Sequence, residues 1–172
     1  AWERWQRPLS QAVARRTQEI LHERPEDVDP RRTVALGRVE GRVAFEDVTF
    51  SYDGVREVLG GISFRSEPGT VTALVGPSGS GKSTIIGLIA AFHAPARGVV
   101  TVDGVDLSTV RLDSYRSQLG VVLQDTFLFD GTIRENIAFS RPEASEEDVL
   151  SACRLARVDE FAEQFEEGYE TI

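Results

Sequence analysis

Of nineteen lysine and arginine residues in this 172-residue chain, only Lys82 is a lysine, and Cys153 is the single cysteine. One cysteine excludes an internal disulfide and points to a reducing compartment. Its setting, Val149-Leu150-Ser151-Ala152-Cys153, reads as a small buried hydrophobe, not a reactive thiol. No run of about 18 apolar residues occurs, so the chain as given is expected to hold no membrane span and no signal peptide. Excess positive charge is also missing: the net charge of −9 argues against nucleic acid as a partner. Internal repeats and low-complexity tracts are absent, as is the Asn-Lys-x-Asp string that reads guanine. His22 and His93 have no partner pattern and are read as surface or packing residues.

The lone lysine sits in Gly76-Pro77-Ser78-Gly79-Ser80-Gly81-Lys82-Ser83-Thr84. A chain that draws its other positive charges from arginine keeps an ammonium here. A compact point charge with three donors suits a phosphate where a planar fork does not. The spacing Gly-x-x-x-x-Gly-Lys-Ser is that of the phosphate-binding P-loop, whose glycines let backbone N–H groups point inward around an anion. Thr70-Val71-Thr72-Ala73-Leu74-Val75 precedes it and reads as a buried parallel strand. From Ser83 a helix follows, with its positive dipole end toward the same phosphates. Strand, loop and helix stand in the required order, so a nucleotide site is expected.

Residues 1–24 place Trp2, Trp5, Leu9, Ala12, Val13, Ile20 and Leu21 at helical spacing beside arginines. Two readings stay open: the cytoplasmic end of a transmembrane helix, or an amphipathic helix packed on its own domain. Residues 25–41 read as a polar, turn-rich linker and a domain is expected over 42–172. Within it, 43–50, 58–64, 99–102 and 120–123 read as strands. Segments 114–118, 133–139, 146–156 and 158–165 read as helices. The ten acidic residues over 143–172 read as solvated helical faces.

Phe50-Ser51-Tyr52-Asp53 lies some 24 residues before Gly76, and the strand Val121-Val122-Leu123-Gln124 runs into Asp125-Thr126-Phe127-Leu128-Phe129-Asp130-Gly131-Thr132-Ile133-Arg134-Glu135-Asn136-Ile137. With Glu57-Val58-Leu59-Gly60-Gly61-Ile62-Ser63-Phe64 and Pro68-Gly69-Thr70, these segments closely resemble the nucleotide-binding domain of an ABC transporter, in its exporter branch. The resemblance covers residues 42–172. It implies an α/β fold: a P-loop NTPase core with an antiparallel β-subdomain and the start of a helical subdomain, preceded by an N-terminal helix and linker.

The same resemblance assigns roles. Tyr52 matches the aromatic on which adenine stacks, so Tyr52→Phe is expected to be nearly silent. Lys82 would bridge the β- and γ-phosphates. Ser83 would ligate Mg²⁺, and Gly76, Ser78, Gly79, Ser80, Gly81 and Thr84 would complete the ATP cradle. Gln124 would reach the Mg²⁺ and the attacking water. On the residues alone, Tyr52 also reads as a cap on the β-layer and Gln124 as a polar loop residue. Asp103, Asp125 and Glu135 read as turn and helix-start residues. The implied partners are a transmembrane domain, docked by residues 125–136, and a second nucleotide-binding domain, at the cytoplasmic face of the inner membrane. The family continues into a Leu-Ser-Gly-Gly-Gln signature, a Walker B strand and a switch histidine, which follow no residue of this chain. By itself it is therefore expected to bind Mg-ATP without turning it over. A non-hydrolysing nucleotide module, or another P-loop kinase or GTPase, are the alternatives.

Overall fold

A computed structural model describes residues 29–122 and 127–172, so the helix expected over 1–24 falls outside the described residues. The chain divides into two compact units, Ala1–Val121 and Val122–Ile172.

The first unit is built on a four-stranded antiparallel sheet of order β2-β1-β3-β4, with β1 Val43–Phe50, β2 Leu59–Ser66, β3 Arg97–Val102 and β4 Val105–Asp106. Strand β1 departs from the alternation of a half-buried strand: Ala44 and Phe45 are both buried, Glu46 and Asp47 both exposed, and Val48, Thr49 and Phe50 buried in succession. A bulge sits at Asp47, whose φ is +49°, and both partner registers shift there. Opposite the bulge, Gly98 at φ +79° lets β3 pass; a Cβ there would run into the backbone of Glu46 and Asp47. Phe45, Phe50, Leu59 and Val100 from the sheet pack with Ile85 and Leu88 of helix α1, Lys82–Ile89. Val110, Leu112 and Tyr115 close this core.

Helix α1 ends in a Schellman arrangement. Phe92 N donates to Gly87 O at 2.8 Å and Ala91 N to Leu88 O at 3.1 Å, with Ala91 in the left-handed region at φ +56°. Two residues of the short helix α2, Leu112–Arg116, satisfy further carbonyls at that end: Tyr115 Oη donates to Ile89 O at 2.8 Å, and Arg116 donates to Ala90 O and Ala91 O. The Arg116 guanidinium also lies 5.1 Å from the Phe92 ring centroid, placing a cation at the negative helix end. Burial pushes the Tyr115 phenol up to about 12, so it stays a donor at any physiological pH.

Residues 29–42 are strapped to this unit. Arg32 donates to the carbonyls of Leu107 and Val110, and Val34 forms a bridge with Val110. The backbone N–H groups of Glu40, Gly41 and Arg42 all converge on the Asp103 carboxylate at 2.7–3.1 Å. Asp103 is thus the turn residue expected of it, and additionally a clamp.

Two expected strands, 70–75 and the described part, 120–122, of 120–123, are absent as strands. Thr70–Val75, read as a buried parallel strand, pairs with no strand among the described residues, and Val71 and Val75 are 99% and 93% exposed. Val122, in the other run, is 96% exposed. A parallel strand requires a neighbour for its backbone groups, and apolar sequence alone supplies none.

In the second unit, helix α3 (Ile133–Ala138) begins at a reciprocal capping box. Glu135 N donates to Thr132 Oγ1 at 3.1 Å, and Thr132 N to Glu135 Oε2 at 2.8 Å. Glu135 is therefore a helix-start residue, as read from sequence. Helix α4, Glu146–Ala156, is capped by Ser145 and carries Glu146, Glu147 and Asp148 in its first turn, where the dipole favours them. These carboxylates are exposed, while Val149 and Cys153 face inward. Cys153 is fully buried, in agreement with its reading as a hydrophobe. Helix α5, Asp159–Ala162, and a 3₁₀ turn at Gly168–Glu170 complete the unit, and Ile133 N donates to Thr171 O at 2.9 Å.

Candidate functional site

The loop from Gly76 to Gly81 winds into helix α1 through two left-handed glycines, Gly79 at φ +78° and Gly81 at φ +88°. Gly81 serves as the N-cap residue without a side-chain cap, so the first turn of α1 keeps its N–H groups for an external acceptor. No acidic side chain stands in that turn to compete with an anion. The absence of Cβ atoms is used twice more. At Gly81 a Cβ would meet Leu59 Cδ2 at 2.6 Å, and at Gly76 it would meet Ser80 Oγ at 2.8 Å. At Gly81 the left-handed backbone and the close approach of Leu59 both call for glycine, whereas at Gly76 the Ser80 hydroxyl can rotate away.

Lys82 folds over the loop it follows. Its Nζ donates to Gly76 O at 2.9 Å and Pro77 O at 2.7 Å and lies 3.3 Å from Ser80 Oγ. The ammonium is therefore fixed at the loop it is expected to serve, with exposed Ser78, Gly79 and Ser80 around it. Ser83 follows on α1 and is exposed. Among the described residues no cluster of three or more His, Cys, Asp or Glu could hold a metal ion. One exposed hydroxyl beside a phosphate cradle fits Mg²⁺, which retains water and binds through few protein oxygens plus substrate phosphates.

Tyr52 and Thr84 are brought together in a way the spacing did not reveal. Thr84 is buried, and its Oγ1 lies 3.0 Å from Tyr52 Oη, so the two hydroxyls share a hydrogen bond. The Thr84 side chain is thereby directed at Tyr52, leaving its backbone N–H for the phosphate role. The tyrosine ring remains 61% exposed. Tyr52→Phe would delete this bond, so the expectation that it be silent is revised: about 1 kcal/mol is at stake. The turn after Tyr52 is held by Asp53, whose carboxylate accepts from the backbone N–H groups of Arg56 and Val55 at 2.8 Å and from the Ser51 hydroxyl at 2.9 Å. Those bonds, chiefly from Arg56 and Val55, hold the carboxyl down to about 2. Because the folded value is depressed, this support is complete above the unfolded value of 3.8 and is lost as pH falls through about 2.

Gln124 and Asp125 lie outside the described residues. The segment just after them is organised by Asn136, whose side chain accepts from Phe129 N at 2.7 Å and donates to Phe129 O and Thr132 O at 3.0 Å each. Phe129 stacks on Phe139 at 3.8 Å and meets Phe127 edge to face at 5.1 Å. An apolar cavity of about 480 Å³ opens beside them, lined by Leu128, Phe129, Ile133, Val158, Phe161 and Ile172 among others. No charged cluster of catalytic type is present there.

Against known proteins, the family model described as ABC transporter matches residues 59–170. The chain is 42% identical over 163 residues to the ABC transporter ATP-binding protein YknV of Bacillus subtilis, covering 95% of this chain and 27% of that protein. It is also 42% identical over 160 residues to a fatty acid ABC transporter ATP-binding/permease protein of Mycobacterium bovis, covering 93% of this chain and 25% of that one. With the mycobactin import ATP-binding/permease protein IrtB of Mycolicibacterium thermoresistibile it shares 49% identity over 130 residues, 76% of this chain and 22% of the relative. The solved structure of a bacterial Atm1-family ABC exporter with ATP bound superposes with a TM-score of 0.80 at 38% identity, over 92% of this chain and 28% of that one. The chain thus spans about a quarter of the length of these relatives.

Proposed function

The chain belongs to the ABC transporter family, and from that premise we propose that residues 42–172 take up ATP and that the longer protein hydrolyses it to drive export across a membrane. The observation that carries this reading is the loop Gly76–Thr84: two left-handed glycines, uncapped N–H groups at the start of α1 and an ammonium fixed beside them. Such a loop binds the phosphates of a nucleotide through its backbone, and Lys82 neutralises the charge that builds on the transferring phosphoryl group. Ser83, with Gln124, would hold Mg²⁺, which supplies charge neutralisation at the phosphate oxygens when bound. Tyr52 offers its exposed ring to the adenine, and the Gly79–Gly81 backbone orients the phosphates for in-line attack by water.

The partners follow from the same reading: a transmembrane domain in the longer protein and a second nucleotide-binding domain with which this one pairs, at the cytoplasmic face of the membrane. Among the described residues no helix is long and apolar enough to cross a membrane. Phe127 and Leu128 are well exposed and come soon after Gln124 in the sequence, past Asp125 and Thr126, an arrangement suited to a docking surface that registers the state of the nucleotide. Transported substrates differ among the relatives, and the cargo belongs to the membrane part, not to this domain.

A cysteine at Asp130 in the full-length protein, on a Cys153→Ala background, tests the coupling. Crosslinks to cysteines in the cytoplasmic loops of the transmembrane domain are expected to form, with yields that change when Mg-ATP is added. Absence of crosslinks in every nucleotide state, across several positions from 126 to 130, would contradict the docking surface. Crosslinks indifferent to nucleotide would contradict the coupling.

A further inference from the structure

His93 lies eleven residues beyond Lys82, past the end of α1, and no part of the phosphate site calls for it. Its ring nevertheless meets Tyr52 edge to face, with centroids 5.3 Å apart and planes at 89°. It also meets Phe50 at 5.3 Å and 35°, while Phe50 and Tyr52 stand at 4.8 Å and 88°. The three rings thus form a closed triangle in which each touches the other two. Edge-to-face pairs of this kind restrict a ring more than they bury it.

The helix makes room for this arrangement. Gly87 occupies a buried interior position of α1, where glycine is less favourable than alanine. A Cβ there would lie 3.0 Å from His93 Cδ2 and 3.4 Å from Nε2. The conformational cost of Gly87 therefore has an identifiable return, the seat of the His93 ring. The Schellman turn with Ala91 in the left-handed region then brings the chain back so that His93 faces that seat.

Tyr52 is held at two ends by one helix. Its hydroxyl is bonded to Thr84 from the first turn of α1, and its ring is braced by His93 just past the last turn. A side chain 61% exposed and on a loop would otherwise sample several rotamers. We propose that His93 is a positioning residue for base recognition: seated on Gly87, it fixes the Tyr52 ring as a platform for the purine of the bound nucleotide. This rests on the reading of Tyr52 as the base-stacking residue. Its consequence is specific, since a device that orients the base platform acts on the base and not on the phosphates.

The test compares the full-length protein and its variants for affinity toward ATP and toward inorganic tripolyphosphate, which carries the phosphates without a base. His93→Ala is expected to weaken ATP binding about three- to tenfold and leave tripolyphosphate binding unchanged. His93→Phe, which keeps a ring against Tyr52, is expected to restore ATP affinity to within twofold. Gly87→Ala, which displaces the ring, is expected to reproduce the ATP-selective loss. Equal loss of ATP and tripolyphosphate binding in both His93→Ala and His93→Phe would overturn the proposal in favour of a structural role. Tyr52→Ala separates the two layers. ATP-selective loss in Tyr52→Ala with none in His93→Ala overturns the positioning role alone. No loss in Tyr52→Ala overturns the base platform and the positioning role with it.

Discussion

Lys82→Ala in the full-length protein is expected to lower ATP hydrolysis by about 10²- to 10³-fold, the cost of removing one preorganised donor from a developing charge. The lysine is not swinging free at the loop: its three N–H donors face Gly76 O, Pro77 O and Ser80 Oγ at 2.7–3.3 Å. Neutral carbonyls are weaker partners than phosphate oxygens, so a nucleotide can recruit the ammonium by exchanging ordinary hydrogen bonds for charge-assisted ones. Lys82→Arg keeps the charge and is still expected to cost more than tenfold. The two carbonyls converge on one nitrogen, a geometry that a point donor meets and a flat fork does not. Steady phosphate release measured on the three proteins checks both values. Arginine within threefold of wild type would show that only charge matters there.

Gly98→Ala is expected to destabilise the first unit by about 3 kcal/mol or more, through two costs at one position. Its φ of +79° is unfavourable for any residue with a Cβ, and that Cβ would collide with the Glu46 and Asp47 backbone at the β1 bulge. Backbone cannot rotate away as a side chain can, so the collision is relieved only by separating β3 from β1. Gly54→Ala is the control: φ is +75° but nothing lies within 4 Å, so only the conformational cost of about 1 kcal/mol remains. Thermal unfolding should place Gly98→Ala about 10 °C below wild type and Gly54→Ala a few degrees below. Equal melting temperatures for the two variants would mean that the bulge yields to β3.

Much of this was legible in the sequence. Strand β1 was read at 43–50 and found there; β2, β3 and helix α4 lie within two residues of their expected bounds, because apolar periodicity and turn residues mark them. The helix-start role of Glu135 and the burial of Cys153 were equally local signals. Thr70–Val75 failed for the opposite reason: its apolar, β-branched run specifies a strand that is completed only by hydrogen-bonding neighbours. What sequence could not give at all were contacts between distant side chains. The Tyr52–Thr84 bond spans 32 residues and the Asp103 clamp more than 60. His93 was read as a packing residue because nothing in a string of letters places it against Tyr52. Gly87 held a faint clue, an isolated glycine inside a helix, which asks for a neighbour that needs the space.

The central claim is that the Gly76–Lys82 loop cradles nucleotide phosphates through its own backbone, and backbone amide resonances of this chain titrated with Mg-ATP test it most directly. The expected result is saturable displacement of the Gly79, Ser80, Gly81 and Lys82 amides, reproduced by inorganic tripolyphosphate, with the Tyr52 ring signals moving only when the base is present. Amides of the loop that stay unmoved at millimolar Mg-ATP, or displacement centred elsewhere in the chain, would contradict it.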